Sequence, residues 1–408
     1  MKKILFVASS GYPNPNVGGS NKIIYEILKN IDYSKWKPSF FSYDLKSNYS
    51  TTKDLDIDQS KKVSLKRRIG NTLYNNFIPY KIVTSSDFYL KYHFNKREKY
   101  FIKHKEFFES FDIIHLHDSN ISHYFNEINK PFKVLTIHSK GTRASESAET
   151  NFYGNLFVES FVKFKNQEKI GFQTVDAITF PSISSREMFL QDLNITSNDN
   201  QIVRIINNGI DCEYITNVEK TNIFERYEII DKMFELKLLN VAAHINPKNL
   251  DLIIKTVNEL KRSHGKNVLF INIGVGYLTG YLKSLVNKLD LVNDVKFLGA
   301  ISNKDVIKLM KSCDILIMPS EKVVFDMVIL EALATGITII ASNQGGNREV
   351  IINNQNGYLI DDLNPETIAL KILSADKQKI KENAISTSKR FDSKIMIRKY
   401  EALYDELA

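Results

Sequence analysis

Two successive sets of short β-rich apolar runs, each interleaved with helical stretches, predict an α/β protein of two Rossmann-like domains, one per half of the chain. Length agrees: 408 residues are long for one core and suit two domains. Composition agrees too, with 43% hydrophobic and 25% charged residues, the balance of a globular protein able to bury a large core.

In the first half the expected strands are Lys3–Ser9, Ser39–Tyr43, Ile113–His117, Lys133–Ile137 and Ala177–Pro181. In the second half they are Leu238–Ala243, Val268–Gly274, Val295–Leu298, Ile315–Met318 and Thr338–Ser342. Helical patterns fall between them at Lys22–Asn30, Leu250–Arg262, Tyr281–Lys288, Asp305–Lys311 and Val328–Thr335. The polar stretch Asn194–Asn200 marks the changeover, giving expected domains of 1–203 and 204–385. Lys377–Ala408 reads as helix, and its part 386–408 is expected to pack back on the first domain.

Other classes fall away. Two cysteines, Cys212 and Cys313, are too few for a disulfide framework or a cysteine-rich zinc site. No apolar run approaches the roughly 20 residues of a membrane helix. Met1–Ser10 imitates a signal peptide, but its apolar stretch is short and a glycine-rich turn follows at once. It is read as the first strand, and the protein is expected to be cytoplasmic.

The formal charge of +8 points to anionic partners. From Lys61 to Lys105 twelve Lys and Arg face only Asp87 and Glu98, with aromatic residues interleaved. One reading is a surface resting on anionic lipid headgroups, which would place the protein peripherally on the inner face of the plasma membrane. The other is a solvated helical pair whose aromatics are core. Nucleic acid is not expected, since no standard binding motif is present.

In open parallel sheets ligands sit beyond the carboxyl ends of strands, so chemistry is sought there. After the first strand, Gly18-Gly19 precedes a helix, where backbone N–H groups can approach an anion. The fourth strand ends at His138, placed for ligand contact, whereas His115 and His117 read as core-edge residues without a third metal ligand. Gly274-Val275-Gly276, extended by Gly280, is a weak dinucleotide signal, because it follows the second strand of its half. The densest constellation runs from Pro319-Ser320-Glu321 through Phe325-Asp326 and Glu331 to Gly345-Gly346-Asn347-Arg348-Glu349. Its glycine turns can offer N–H groups to a diphosphate, and a helical carboxylate can grip ribose hydroxyls.

This string resembles the C-terminal signature of retaining GT-B glycosyltransferases of family four, the glycosyl transferases group 1. The resemblance runs nearly end to end: Gly18-Gly19, Asp112-Ile113-Ile114-His115-Leu116-His117, Thr136-Ile137-His138, Asp176-Ala177 with Ser182, Asn208-Gly209-Ile210-Asp211, Phe297-Leu298-Gly299 and Asn356-Gly357 stand in register. It implies two Rossmann-like domains facing across a cleft and closing on substrate. It implies transfer of a sugar from a nucleotide-diphosphate sugar to an acceptor hydroxyl, with retention, in surface polysaccharide or glycolipid synthesis. The acceptor is a glycan or lipid-linked molecule on the first domain. His138 contacts the donor sugar, Glu331 the nucleotide ribose, and Gly18, Gly19, Gly274, Phe325, Asp326, Gly345 and Gly346 line the donor. The resemblance implies cations and N–H donors at the leaving diphosphate in place of a metal, so neither a metal nor any cofactor besides the donor is expected.

The chain departs from that pattern in two places. Counting back eight from Glu331 reaches Val323, where the family has its first glutamate; Glu321 is two residues out of register and Gly-Phe-Gly is Val324-Phe325-Asp326. Of the family's Arg and Lys that clamp the diphosphate, Lys248 is present, while the arginine position is Ala243 or His244. A neutral histidine is a weaker anion partner than a guanidinium fork. Two alternatives follow: a non-catalytic partner protein of the same fold, and an NAD(P)-dependent oxidoreductase resting on Gly274–Gly280 alone.

Overall fold

The computed structural model describes residues 1–8, 11, 13–14, 19–42, 47–49, 87–150, 158–196, 201–230 and 233–408. Gly18, residues 61–86 of the basic segment and residues 197–200 of the polar stretch lie outside the described residues. The chain divides into two compact units, Met1–Asn207 with Met396–Ala408, and Asn208–Ile395. The first changeover lies a few residues past the expected 203/204. The second lies inside the last helix rather than at 385/386.

The first unit holds β1 (Lys2–Ala8), β2 (Trp36–Ser42), β3 (Ser47–Tyr49), β4 (Ile113–Leu116), β5 (Phe132–Thr136), β6 (Ala177–Phe180) and β7 (Ile202–Ile205). They form one sheet in the order β3-β2-β1-β4-β5-β6-β7. All neighbours are parallel except β2 and β3. The chain winds outward from β1 in one direction and from β4 in the other, which makes the β1/β4 boundary the switch point. Ile4-Leu5-Phe6-Val7 and Ile113-Ile114 are fully buried, as a strand covered on both faces requires. Helix α1 (Ser20–Asn30) follows β1, and α2 (Asp87–Lys103) precedes β4. In α2, Phe101 is buried and stacks on Tyr124 with ring centroids 5.1 Å apart, while Tyr100 stacks on Phe41 at 6.1 Å. These two aromatics of the basic segment are therefore core residues.

The second unit holds β8 (Leu236–Val241), β9 (Val268–Ile273), β10 (Val295–Phe297), β11 (Ile315–Met318), β12 (Thr338–Ser342) and β13 (Tyr358–Ile360). The order is β10-β9-β8-β11-β12-β13, parallel throughout, with its switch point between β8 and β11. Helices α3 (Leu250–Arg262), α4 (Thr279–Lys288), α5 (Asn303–Met310) and α6 (Met327–Thr335) follow β8, β9, β10 and β11. Ser302 caps α5 by accepting from Asp305 N, and Gly336 ends α6 in the left-handed conformation.

Four elements differ from the sequence expectation. Strands β3, β7 and β13 extend the expected five-strand sets to sheets of seven and six. The C-terminal helical stretch is two helices, α7 (Lys377–Ser388) and α8 (Ser393–Leu407), broken at Asp392. Within the first unit the last turns of α8 bury Tyr400 and Tyr404, the latter packing edge-on against Trp36 at 5.6 Å. Among the described residues no helix is long and apolar enough to cross a membrane.

Candidate functional site

In the second unit, loops at the carboxyl ends of β8, β9, β11 and β12 carry the expected donor residues. After β8 the chain runs Ala242 to Asn249; Lys248 Nζ meets Asp326 Oδ2 at 3.2 Å and Oδ1 at 3.3 Å. Asn249 ties the same turn to the end of β11, donating to Pro319 O at 3.0 Å and to Glu321 Oε1 at 3.2 Å. Asp326, not Glu321, is thus the carboxylate that faces the lysine.

After β9, Gly274 has φ 143°. A Cβ there would stand 2.0 Å from Ala242 O, so the turn after β9 lies directly against the turn after β8. After β12, Gly345 and Gly346 lie against the backbone of the 323–324 segment: added Cβ atoms would stand 1.9 Å from Val323 O and 2.2 Å from Val324 O. Gly346 N also donates to Val323 O at 3.3 Å. Val323 is fully buried, so the position of the family's first glutamate is used here as an apolar wedge and a backbone acceptor.

Glu331 lies on α6, 4% exposed, and its Oε1 accepts from Asn303 Nδ2 at 3.0 Å at the start of α5. A carboxylate this buried needs partners. Asn303 was not singled out in the sequence; its only signal was its place directly after a Ser cap.

Two expected donor contacts need correction. His244 is fully buried, with Nε2 2.5 Å from Asn272 Oδ1 and Nδ1 2.7 Å from Thr279 Oγ1. Asn272 in turn donates to Asn240 Oδ1 at 3.0 Å, and Asn240 to Ile317 O at 2.8 Å. Burial lowers the imidazole's pKa, against the hydrogen bond to Asn272. Both ring nitrogens are committed to this chain of buried amides, so His244 is a bracket between the β8 and β9 turns and presents no cation to a phosphate. Phe325 is 5% exposed and packs on Phe391 at 5.8 Å, which leaves its ring no face for a ligand.

In the first unit, Gly19 stands immediately before α1 with φ 74° and its carbonyl accepts from Lys22 N at 3.2 Å. His138 follows β5 and is partly exposed. Its Nε2 lies 3.0 Å from His117 Nδ1. Burial, then the nearby Arg143 charge, lowers the His138 pKa to about 3. The loop after His138 is fixed by two carboxylates. Glu168 accepts from Ser119 Oγ and from the backbone N–H groups of Arg143 at 2.8 Å and Ala144 at 2.9 Å. Asp192 accepts from Thr142, Ser145 and Lys165; burial raises its pKa, but these bonds prevail and hold it at about 2. Among the described residues no group of three or more His, Cys, Asp or Glu is arranged to hold a metal ion.

A carboxylate-bearing helix, a lysine and two close-packed glycine turns thus gather beyond the carboxyl ends of one parallel sheet, where open α/β units place their ligands. Residues 222–391 match the family model of the glycosyl transferases group 1. The chain is 27% identical over 273 residues to the glycosyltransferase MJ1607 of Methanocaldococcus jannaschii, covering 64% of this chain and 65% of that one. It is 29% identical over 175 residues to MJ1178 of the same organism, covering 42% and 48%. The matches thus span just under two thirds and about half of those relatives. In fold it is similar to a glycosyltransferase from Rickettsia africae (TM-score 0.66, 19% identity, 100% and 98% covered) and to Anabaena HepE in complex with UDP and glucose (0.68, 18%, 100% of both). The fold class is GT-B, with two Rossmann-like domains.

Proposed function

We propose that the protein is a retaining, metal-independent glycosyltransferase that moves a sugar from a nucleotide-diphosphate sugar to the hydroxyl of a glycan or lipid-linked acceptor. The observation that carries this reading is the Glu331–Asn303 pair, a buried carboxylate on the helix that starts just after Asp326, the partner of Lys248. Glu331 accepts from the ribose hydroxyls, Lys248 and backbone N–H groups meet the diphosphate, and His138 contacts the donor sugar. Charge develops on the leaving diphosphate, where preorganised donors act without a metal. The complex of HepE with UDP makes UDP the first nucleotide to test. A role in surface polysaccharide or glycolipid synthesis, at an anionic membrane surface, completes the reading.

The test is a thermal-shift panel with UDP, GDP, ADP, CMP and NAD⁺, with and without EDTA. One nucleoside diphosphate at a hundred times its Kd adds about 2.7 kcal/mol and raises the melting temperature, EDTA changes nothing, and Glu331→Ala removes the shift. A folded protein that responds to none of them favours the non-catalytic partner reading; a response to NAD⁺ alone favours the oxidoreductase.

The Lys248–Asp326 pair yields a second expectation. In the free protein Asp326 neutralises the one matched diphosphate cation. Asp326→Asn therefore tightens nucleoside-diphosphate binding about 1.5- to 5-fold, the worth of a partly exposed ion pair. Lys248→Ala weakens it. Titration calorimetry reads both, and an unchanged or weaker Kd in Asp326→Asn shows that the carboxylate does not compete for the lysine.

A further inference from the structure

The contact between His117 and His138 fixes where a proton must be. Their nitrogens stand 3.0 Å apart, so one of them carries the hydrogen between. The ring planes differ by only 13° and the centroids are 5.3 Å apart, the separation of two rings lying edge to edge in one plane. The other nitrogen of His117, Nε2, is buried without a hydrogen-bond partner among the described residues. His115 cannot supply one, although its ring centroid is 4.1 Å away, because its Nδ1 is engaged by Tyr404 OH at 2.7 Å and its Nε2 by Thr136 Oγ1 at 2.6 Å.

Two neutral arrangements satisfy the contact. If His138 Nε2 held the proton, His117 would carry its own on the buried Nε2, leaving an orphan N–H, the rarer and costlier defect. If His117 Nδ1 holds it, the buried Nε2 is a bare lone pair. We infer that His117 is a positioning residue for His138: it donates from Nδ1 to His138 Nε2, sets His138 as the Nδ1–H tautomer, and leaves that N–H as the donor His138 offers to a substrate oxygen. Burial, which holds both rings neutral, agrees with this. The consequence for the reaction rests on the reading that His138 contacts the donor sugar. There His138 acts as a neutral hydrogen-bond donor, and Nδ1 cannot accept a proton from a hydroxyl.

The experiment is a long-range ¹H–¹⁵N NMR spectrum of the full chain, ¹⁵N-labelled at histidine, at neutral pH, assigned with His138→Ala and His117→Asn. The expected pattern is protonated Nδ1 and bare Nε2 on both rings. A proton on His138 Nε2, or a doubly protonated ring, overturns the inference. His117→Asn keeps an amide donor and keeps the His138 tautomer, with kcat for UDP-sugar turnover within a few fold of wild type. His117→Asp, an acceptor, reverses the tautomer and lowers kcat at least 10-fold with KM little changed. Should that variant fail to fold, the wild-type spectrum decides alone. The expected spectrum together with full activity in His138→Ala would uphold the tautomer and discard the role given to His138.

Discussion

Lowering the pH from 6.5 to about 4 unfolds the first unit before the second. His115, His117 and His138 are held neutral by burial, His138 down to about 3, and burial with the Arg97 and Lys163 charges holds His123 to about 4. In the unfolded chain each titrates near 6.5, so below that pH the unfolded state binds more protons. Stability is then complete above 6.5 and lost as the pH falls toward the folded values, by about 1.4 kcal/mol per pH unit for each histidine. Four such groups in one unit give up to ~5 kcal/mol per pH unit, against a typical domain stability of about 5–15 kcal/mol. Asp192 adds to the loss only below its ordinary 3.8. The second unit has one histidine of this kind, His244. Trp36 is the chain's only tryptophan and lies buried in the first unit, so its fluorescence follows that unit alone. A midpoint near pH 5 is expected, moving lower in His123→Leu, which removes two buried ring nitrogens without partners among the described residues. Native fluorescence persisting at pH 4 would show that the imidazoles take up protons within the folded unit.

The acid-sensitive network was only half legible in the sequence. Strands covered on both faces leave continuous apolar runs, such as Ile4-Leu5-Phe6-Val7 and Ile315-Leu316-Ile317-Met318, and these mark their own positions. Strand β7, Ile202–Ile205, carries Arg204 and is only partly buried, and β13 is three residues long, so neither rises above the loops around it. The string from Pro319 to Glu349 pointed to the second unit's site because its glycines and Glu331 keep their spacing. What spacing could not give was which side chains meet. His117 and His138 are 21 residues apart, His244 and Asn272 28, Lys248 and Asp326 78. Hence His244 reads in sequence as a substitute phosphate ligand, although its partners make it a bracket. A signal did exist: Asn240 and Asn272 each interrupt an apolar strand, and a buried amide in such a place announces a partner.

Replacing Gly345 with alanine should be among the costliest small changes in the second unit, and should cost function with it. At φ 47° an L-residue pays about 1–2 kcal/mol for the left-handed conformation. The added methyl would also stand 1.9 Å from Val323 O, a backbone atom with no rotamer to change. Relieving that overlap by main-chain movement costs roughly 1–3 kcal/mol more. A total of roughly 2–5 kcal/mol lowers the melting temperature of a unit this size by about 5–20 °C. The movement matters because of what it reaches. The Gly345-Gly346 turn carries backbone N–H groups proposed to meet the diphosphate, so a turn forced off Val323 displaces the diphosphate end of the proposed site. Gly345→Ala should therefore lose the nucleoside-diphosphate shift even at temperatures where the unit remains folded. Gly280→Ala is the control: no atom lies within 4 Å of its added methyl, and alanine favours α4. Its melting temperature and nucleotide shift should match wild type or exceed it. Loss of binding in Gly280→Ala with retention in Gly345→Ala would move the ligand away from the β11–β12 turns and onto the Gly274–Gly280 stretch, where the dinucleotide reading places it.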